Sequence, residues 1–258
     1  MDILRTLGHG VTAGAAAGSF AYLLAEPVMD RAVRLESARV REQETRARAA
    51  GQIVEHHADV FSRQTQHLGL LGAALGTGIA LGVIMAVPFA LLHRRDERSR
   101  RWHNSLRLGA SAFFGIYLVP FLRYPPNPPG VGDPGTLDQR THAYLIAIAI
   151  GLIGAIATNR VRIDLSYRGV SDPQRQLAVT AVLAATVALT FLLPANSDAL
   201  DVPAGLLWQF RLLTLATSVL LWGTLSVEFG LLINRQAQLT AATGNCPEAA
   251  TKVARWRP

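Results

Sequence analysis

The sequence predicts an all-α fold, a polytopic membrane bundle of six helices with a helical hairpin outside the membrane between the first two. Half of the 258 residues are hydrophobic, and the mean hydropathy is +0.25. The apolar residues form long blocks, and a membrane span needs roughly 20 largely apolar residues in a row. Arginines are concentrated in alternate linkers, as they are in chains that cross a membrane repeatedly.

The apolar blocks define the predicted spans. Six blocks have the required length or nearly reach it: 7–25, 68–92, 105–122, 143–158, 176–193 and 206–233. The fourth is the shortest and needs Thr141 or His142 to reach the interface. The first lacks a small-x-small cleavage site, so we expect it to be retained and not cleaved as a secretory signal. We therefore expect one membrane domain over 1–233, followed by a disordered polar tail over 234–258.

Charge orients the predicted bundle. Linker 93–104 holds five arginines and linker 159–175 holds four, whereas linker 194–205 holds none. Short basic loops stay in the cytoplasm, so both termini and the tail should be cytoplasmic. Segment 27–67 has seven arginines and would lie outside. It is long and carries six acidic residues, so we expect its neighbours to determine its orientation.

The basic balance indicates contact with membrane lipid. The net charge of +7 is explained by cytoplasmic loops next to anionic lipid, and no nucleic-acid-binding motif is present. Cys246 is the only cysteine, which excludes a disulfide within the chain and gives no sign of a thiolate metal site.

Segment 28–66 predicts the external hairpin. Its first part is rich in Arg, Glu and Ala, which favour helices. An acidic residue precedes an arginine by four positions three times, the favourable order for ion pairs on a helix: Asp30/Arg34, Glu42/Arg46 and Glu44/Arg48. Gly51 interrupts the pattern and a second run leads back. A solvated hairpin is the simpler interpretation, and a vestibule over the bundle is the alternative.

The return arm of this hairpin holds the densest group of candidate metal ligands. They are Glu55, His56, His57 and Asp59. Carboxylate and imidazole suit borderline divalent ions such as cobalt, nickel and zinc. An ordinary helix end with an Asp59–Arg63 ion pair is the alternative.

A closed site would need ligands from other elements. His67 lies eight residues beyond Asp59, roughly 12 Å along a helix, too far to complete a site on one helix. The remaining external donors are Asp133, Asp138 and His142.

Charged residues at or inside the spans are the second group of candidates. Glu26 directly follows the first block, and Arg211 and Glu228 lie within the last. Intramembrane charges are costly unless they are paired or hydrated. We expect Glu26 to be the first cation site of an ion path and Glu228 an inner one. The alternative is that Glu26 neutralises Arg123 or Arg211 at the outer boundary.

Small-residue motifs predict close helix packing. The first block carries Gly10, Gly14 and Gly18, and the second carries two glycine pairs, 72/76 and 78/82. Glycines at this spacing let membrane helices approach closely.

A proline-rich connector separates the third and fourth blocks. We call 124–133 the proline loop; its signature residues, with the arginine before it, are Arg123, Tyr124, Pro125, Pro126, Asn127, Pro128, Pro129, Gly132 and Asp133. Four prolines in five positions exclude a helix and impose a stiff, extended run. We expect the loop to fold against the outer mouth of the bundle, held by Arg123.

The run 114–134, followed by Arg140, Thr141 and Tyr144, resembles the signature of the CbtA family. The pair Glu26-Pro27, the run 60–63 and the run 207–212 fall in the family's order. The resemblance implies a bacterial inner-membrane subunit of a Co²⁺ uptake system for cobalamin synthesis. It also implies a small one-span partner with a histidine-rich end, CbtB, and no tightly bound cofactor.

No enzymatic motif accompanies this resemblance. The chain lacks the phosphate-binding G-x-x-x-x-G-K-[ST], and it has no H-E-x-x-H or G-x-S-x-G. We therefore expect no enzyme. The alternative to a transport subunit is a non-transporting membrane scaffold or assembly subunit.

Overall fold

The computed structural model describes residues 3–51, 63–93, 98–128, 134–196 and 203–244. These residues form helices joined by turns and loops, with no strand among them, which confirms the all-α prediction. The helices are α1 Ile3–Ala49, α2 Arg63–Leu92, α3 Arg98–Ala112, α4 Val119–Arg123, α5 Leu137–Tyr167, α6 Asp172–Thr190 and α7 Ala204–Gly244. A π-helical segment, Phe113–Leu118, joins α3 to α4, and a 3₁₀ turn, Pro134–Thr136, precedes α5.

Within the described ranges, four helical segments are long and apolar enough to cross a membrane. They are Gln64–Leu92, Arg100–Arg123, Leu137–Tyr167 and Ala204–Gln236. They contain four of the six predicted blocks. The block 7–25 lies in α1, where glycines and His9 dilute its hydropathy. Most of 176–193 lies in α6, which begins with a polar turn and ends at Thr190. The count of six spans stays a prediction.

The first helix is much longer than its apolar block. It runs through Pro27 to Ala49, and a turn follows in which Gly51 has a φ of 73°. Residues that have a Cβ rarely adopt this left-handed backbone conformation, whereas glycine adopts it readily. Two of the three predicted ion pairs are present, Glu42–Arg46 at 2.5 Å and Glu44–Arg48 at 3.9 Å. The return arm, 52–62, and the tail beyond 244 lie outside the described residues, so the hairpin remains a prediction.

The chain divides into two compact units. The first unit takes its described residues from Met1–Gly18, Leu75–Ala110 and Trp222–Pro258, and the second from Ser19–Ala74 and Ser111–Leu221. The prediction of a single membrane domain stays a prediction.

Close helix packing dominates the first unit. A methyl group added to Gly14 would overlap the carbonyl oxygen of Gly78, and one added to Gly10 would overlap that of Gly82. The predicted glycine motifs therefore bring α1 and α2 into backbone contact. In contrast, Gly76 of this unit and Gly72 of the second unit have no neighbour on their Cβ side among the described residues.

Helices α3 and α7 also meet in the first unit. The Ser105 hydroxyl donates to the backbone oxygen of Ser226 at 2.7 Å, and both residues are buried. The Trp102 ring covers Gly230. Phe89 of α2 meets Phe229 of α7 edge to face, with centroids 5.1 Å apart. The core is thus small side chains interleaved with a few aromatic rings.

The second unit packs α5 against α6 and against the π-helical segment. Gly115 and Gly151 approach so closely that a Cβ on Gly151 would collide with the Gly115 backbone, and a Cβ on Gly115 would lie only 3.0 Å from the Gly151 backbone. The π-helical turn closes with a bond from the Val119 N–H to the Phe114 oxygen. It lies just before Pro120, whose ring and missing N–H disturb a regular α-helical turn.

Candidate functional site

The structure describes only part of the predicted site. Glu26, His142, Arg211, Glu228 and residues 123–128 are described. The other candidates lie outside the described residues: Glu55, His56, His57, Asp59, Pro129, Gly132 and Asp133.

The start of the proline loop is attached to the segment that follows α6. The Arg123 guanidinium donates to the Leu193 oxygen at 2.5 Å, and the Tyr124 hydroxyl donates to the Pro194 oxygen at 2.7 Å. The guanidinium carbon also lies 5.4 Å from the centre of the Phe191 ring, within the range of cation–π attraction. Both side chains donate to backbone carbonyl oxygens of an irregular segment. These oxygens do not accept the N–H groups of a regular helix, so they need other donors.

The middle of the loop is held by a second arginine. Arg211 of α7 donates from Nη2 to Asn127 Oδ1 at 3.0 Å and from Nε to the Pro126 oxygen at 3.3 Å. Pro128 is buried. The sequence singled out Arg211 as an intramembrane charge but missed this contact. The available signal was an arginine in the first turns of an apolar helix, close to an irregular loop that must satisfy its carbonyls.

Glu26 has a different partner from those expected. Its Oε1 lies 3.4 Å from Nδ1 of His67 on α2, and the two side chains are 39% and 38% exposed. The alternative pairing of Glu26 with Arg123 or Arg211 is wrong, because both arginines bind carbonyl groups instead. The structure therefore pairs His67 with Glu26, the carboxylate that the sequence predicted as the first cation site.

Glu228 and His142 lie apart from any such pair. Glu228 is half-buried on α7, next to the buried Phe229, and has no hydrogen-bond or ion-pair partner among the described residues. His142 is exposed near the start of α5. In the described part of the chain, no group of three or more His, Cys, Asp or Glu side chains is placed to hold a metal ion.

An aromatic ladder runs along the π-helical segment. The rings of Phe113, Tyr117 and Phe121 stack in succession, with centroids 5.8 Å and 5.6 Å apart. Sequence reasoning did not identify this ladder. Four-residue spacing of aromatic residues ahead of the proline loop was the signal for it.

Comparison with known proteins identifies the family. No curated protein and no solved structure matches the chain. The family described as probable cobalt transporter subunit (CbtA) matches residues 3–234, which is most of the chain. The match includes the proline loop, three of the four apolar helical segments and all but the last two residues of the fourth. The protein therefore belongs to the CbtA family of probable cobalt transporter subunits.

Proposed function

We propose that this chain is the membrane subunit that carries Co²⁺ across the bacterial inner membrane, and that Glu26 and His67 form its outer cation site. The observation that carries the proposal is the approach of a carboxylate oxygen and an imidazole nitrogen to 3.4 Å from two different helices. These are donor types that suit a borderline divalent ion such as Co²⁺.

The chemistry of this pair suits an ion that must leave again. Co²⁺ entering a membrane protein exchanges water for protein donors, and a conducted ion must bind weakly enough to be released. Two side chains supply only part of a coordination shell, and their partial exposure leaves room for water. A histidine binds a metal through a neutral ring nitrogen, which is the form of the ligand that His67 would supply.

Further donors extend this path in the proposal. Glu228 is the inner donor, because a half-buried carboxylate within an apolar helix is a functional candidate by default. The outer donors that complete it are Glu55, His56, His57, Asp59, Asp133 and His142.

The proposed topology has six spans, an external helical hairpin and two cytoplasmic termini. The arginine distribution supports it. In a Cys246→Ser background, a single cysteine placed at Arg98 should resist an impermeant thiol reagent in intact cells, whereas one at Asp198 should react. The reverse pattern would overturn the orientation.

The family description as a subunit supports a partner. We propose that this partner is the small one-span protein with a histidine-rich end, CbtB, and that the complex supplies cobalt for cobalamin synthesis. The chain has no phosphate-binding G-x-x-x-x-G-K-[ST] motif, so the membrane potential, a proton gradient or a partner would drive uptake.

Metal uptake into sealed proteoliposomes tests the proposal, with Co²⁺, Ni²⁺ and Zn²⁺ compared. The wild-type complex should accumulate Co²⁺. Glu26→Gln and His67→Gln should each reduce uptake about ten-fold or more, because each removes one ligand. Asp164→Asn is the matched control, since this exposed carboxylate only pairs with Arg168 on its own helix. Absence of protein-dependent uptake from an intact complex would indicate the alternative, a non-transporting scaffold.

A further inference from the structure

A cavity of about 380 Å³ lies beside the proline loop in the second unit. Its polar lining combines loop residues, the first turns of α5 and the segment after α6: Tyr124, Asn127, Arg140, Thr141, Tyr144 and Asn196. Pro125 and Leu145 supply apolar wall. The lining has one cationic side chain, Arg140, and no carboxylate among the described residues.

Hydrogen bonds already present in the structure determine which groups the lining offers. Asn127 Oδ1 accepts from Arg211, so the amide nitrogen of Asn127 is left as a donor. The Tyr124 hydroxyl donates to the Pro194 oxygen and the Thr141 hydroxyl donates to the Leu137 oxygen. These two hydroxyl oxygens therefore remain as acceptors. The lining thus presents the positive charge of Arg140 and the amide donor of Asn127 together with two acceptors.

We infer that this cavity binds a small ligand that carries an anionic carboxylate or phosphate group together with hydroxyl groups. Arg140 supplies the opposite charge and the Asn127 amide donates to an anionic oxygen, while the hydroxyls of the ligand donate to Tyr124 and Thr141. Charge-assisted bonds of this kind are the strong ones. A bare divalent cation is disfavoured there by Arg140, so the site differs in ligand from the Glu26–His67 pair.

Two sources share this chemistry. A soluble hydroxycarboxylate such as citrate fits a polar cavity open to solvent. The glycerol phosphate headgroup of a membrane lipid also fits, because the exposed Leu145 belongs to an apolar segment long enough to cross a membrane, Leu137–Tyr167. The experiment distinguishes these sources.

The test is isothermal titration calorimetry on the purified full-length chain in neutral detergent. The probes are citrate, inorganic phosphate and dihexanoylphosphatidylglycerol. Wild-type protein should bind at least one of them. Binding of citrate or phosphate indicates a soluble ligand, whereas binding of the phospholipid alone indicates a headgroup.

Asn127→Asp is the most informative variant. It keeps an acceptor for Arg211, so the loop stays attached, but it removes the amide donor and adds a repelling charge. It should weaken binding about ten-fold or more. Arg140→Gln should weaken binding by at least as much, whereas Tyr144→Phe removes one hydroxyl and should have a smaller effect. Arg168→Gln, at the other end of α5, is the matched control and should bind like the wild type.

Two outcomes would overturn the inference. One is that no probe binds to the wild-type chain. The other is that Asn127→Asp, with an unchanged melting temperature, binds the same probe as tightly as the wild type. Because neither measurement uses cobalt, failure here is distinguishable from failure of the transport proposal.

Discussion

The α1–α2 contact of the first unit and the proline loop of the second unit are held by opposite means. The helix contact exists because Gly14 and Gly78 have no side chains, so that the backbones approach closely. The loop is held because Arg123 and Arg211 have long side chains that reach backbone carbonyls. The helix contact depends on the absence of side chains at the glycines, whereas the attachment of the loop depends on hydrogen-bond donors from the two arginines.

This difference has a physical origin. Between apolar helices in lipid, packing and close approach drive association, since burial of apolar surface gives no advantage over lipid. An irregular loop has unsatisfied carbonyls that need donors. Its prolines provide none, so Arg211 from outside the loop donates to the Pro126 oxygen. Arg123 in turn donates to a carbonyl of the irregular segment after α6. The two regions should therefore respond differently to substitution: added volume should damage the first, and loss of a donor should damage the second.

The largest effect is expected from added volume in the glycine contact. Leucine is a better helix former than glycine by up to about 1 kcal/mol. Even so, Gly14→Leu should lower the free energy of unfolding by about 3 kcal/mol or more, because its Cβ collides with the Gly78 backbone. Unfolding by SDS titration, followed by circular dichroism, measures the change.

Gly72→Leu is the control for this prediction. Gly72 belongs to a glycine pair of the same spacing on α2, but has no neighbour on its Cβ side among the described residues. Its substitution should leave stability unchanged or slightly increased. Equal losses for Gly14→Leu and Gly72→Leu would show that the backbone contact is not what the glycines provide.

The fold was more predictable from the sequence than the site. The length of the apolar blocks was enough to predict the helices, and the spacing of Gly10 and Gly14 was enough to predict a close contact. Spacing does not identify which glycine pair is used, however, because the neighbouring helix decides it. In the described part of the chain, Gly78 has such a neighbour and Gly72 does not.

The site depended on contacts between residues far apart in the chain. Arg211 and Asn127 are separated by 84 positions, and no local pattern connects them. Glu26 was predicted as a site from its place at the end of an apolar block. Its partner His67 could not be chosen among several polar residues, because the choice depends on the register between α1 and α2. The candidates Glu55, His56, His57, Asp59 and Asp133 remain predictions.

An intermediate effect is expected from loss of the loop donor. Arg211→Gln should lower the free energy of unfolding by about 2 kcal/mol, because it removes charged hydrogen bonds and leaves the Pro126 oxygen without this donor. Arg211→Lys should recover only part of the loss, since an ammonium group does not reproduce the planar fork. SDS titration again provides the measurement.

Arg168→Gln is the control for the loss of a positive charge that does not hold the proline loop. Arg168 forms an exposed ion pair with Asp164 on its own helix, so its loss should cost at most about 0.5 kcal/mol. If Arg211→Gln were as mild as Arg168→Gln, the proline loop would be held by its prolines, Arg123 and Tyr124 without help from Arg211.

The smallest effect is expected from the polar contact inside the first unit. Ser105→Ala removes the hydroxyl that donates to the Ser226 oxygen at 2.7 Å. That oxygen lies in the interior of α7, where the helical ladder already supplies a donor. No carbonyl is left unsatisfied, so the loss should be about 0.6 kcal/mol, the average for hydrogen bonds between membrane helices. A loss near 2 kcal/mol in the same SDS titration would show that a specific donor matters as much between these helices as in the proline loop. The contrast between packing and donors would then not hold for the first unit.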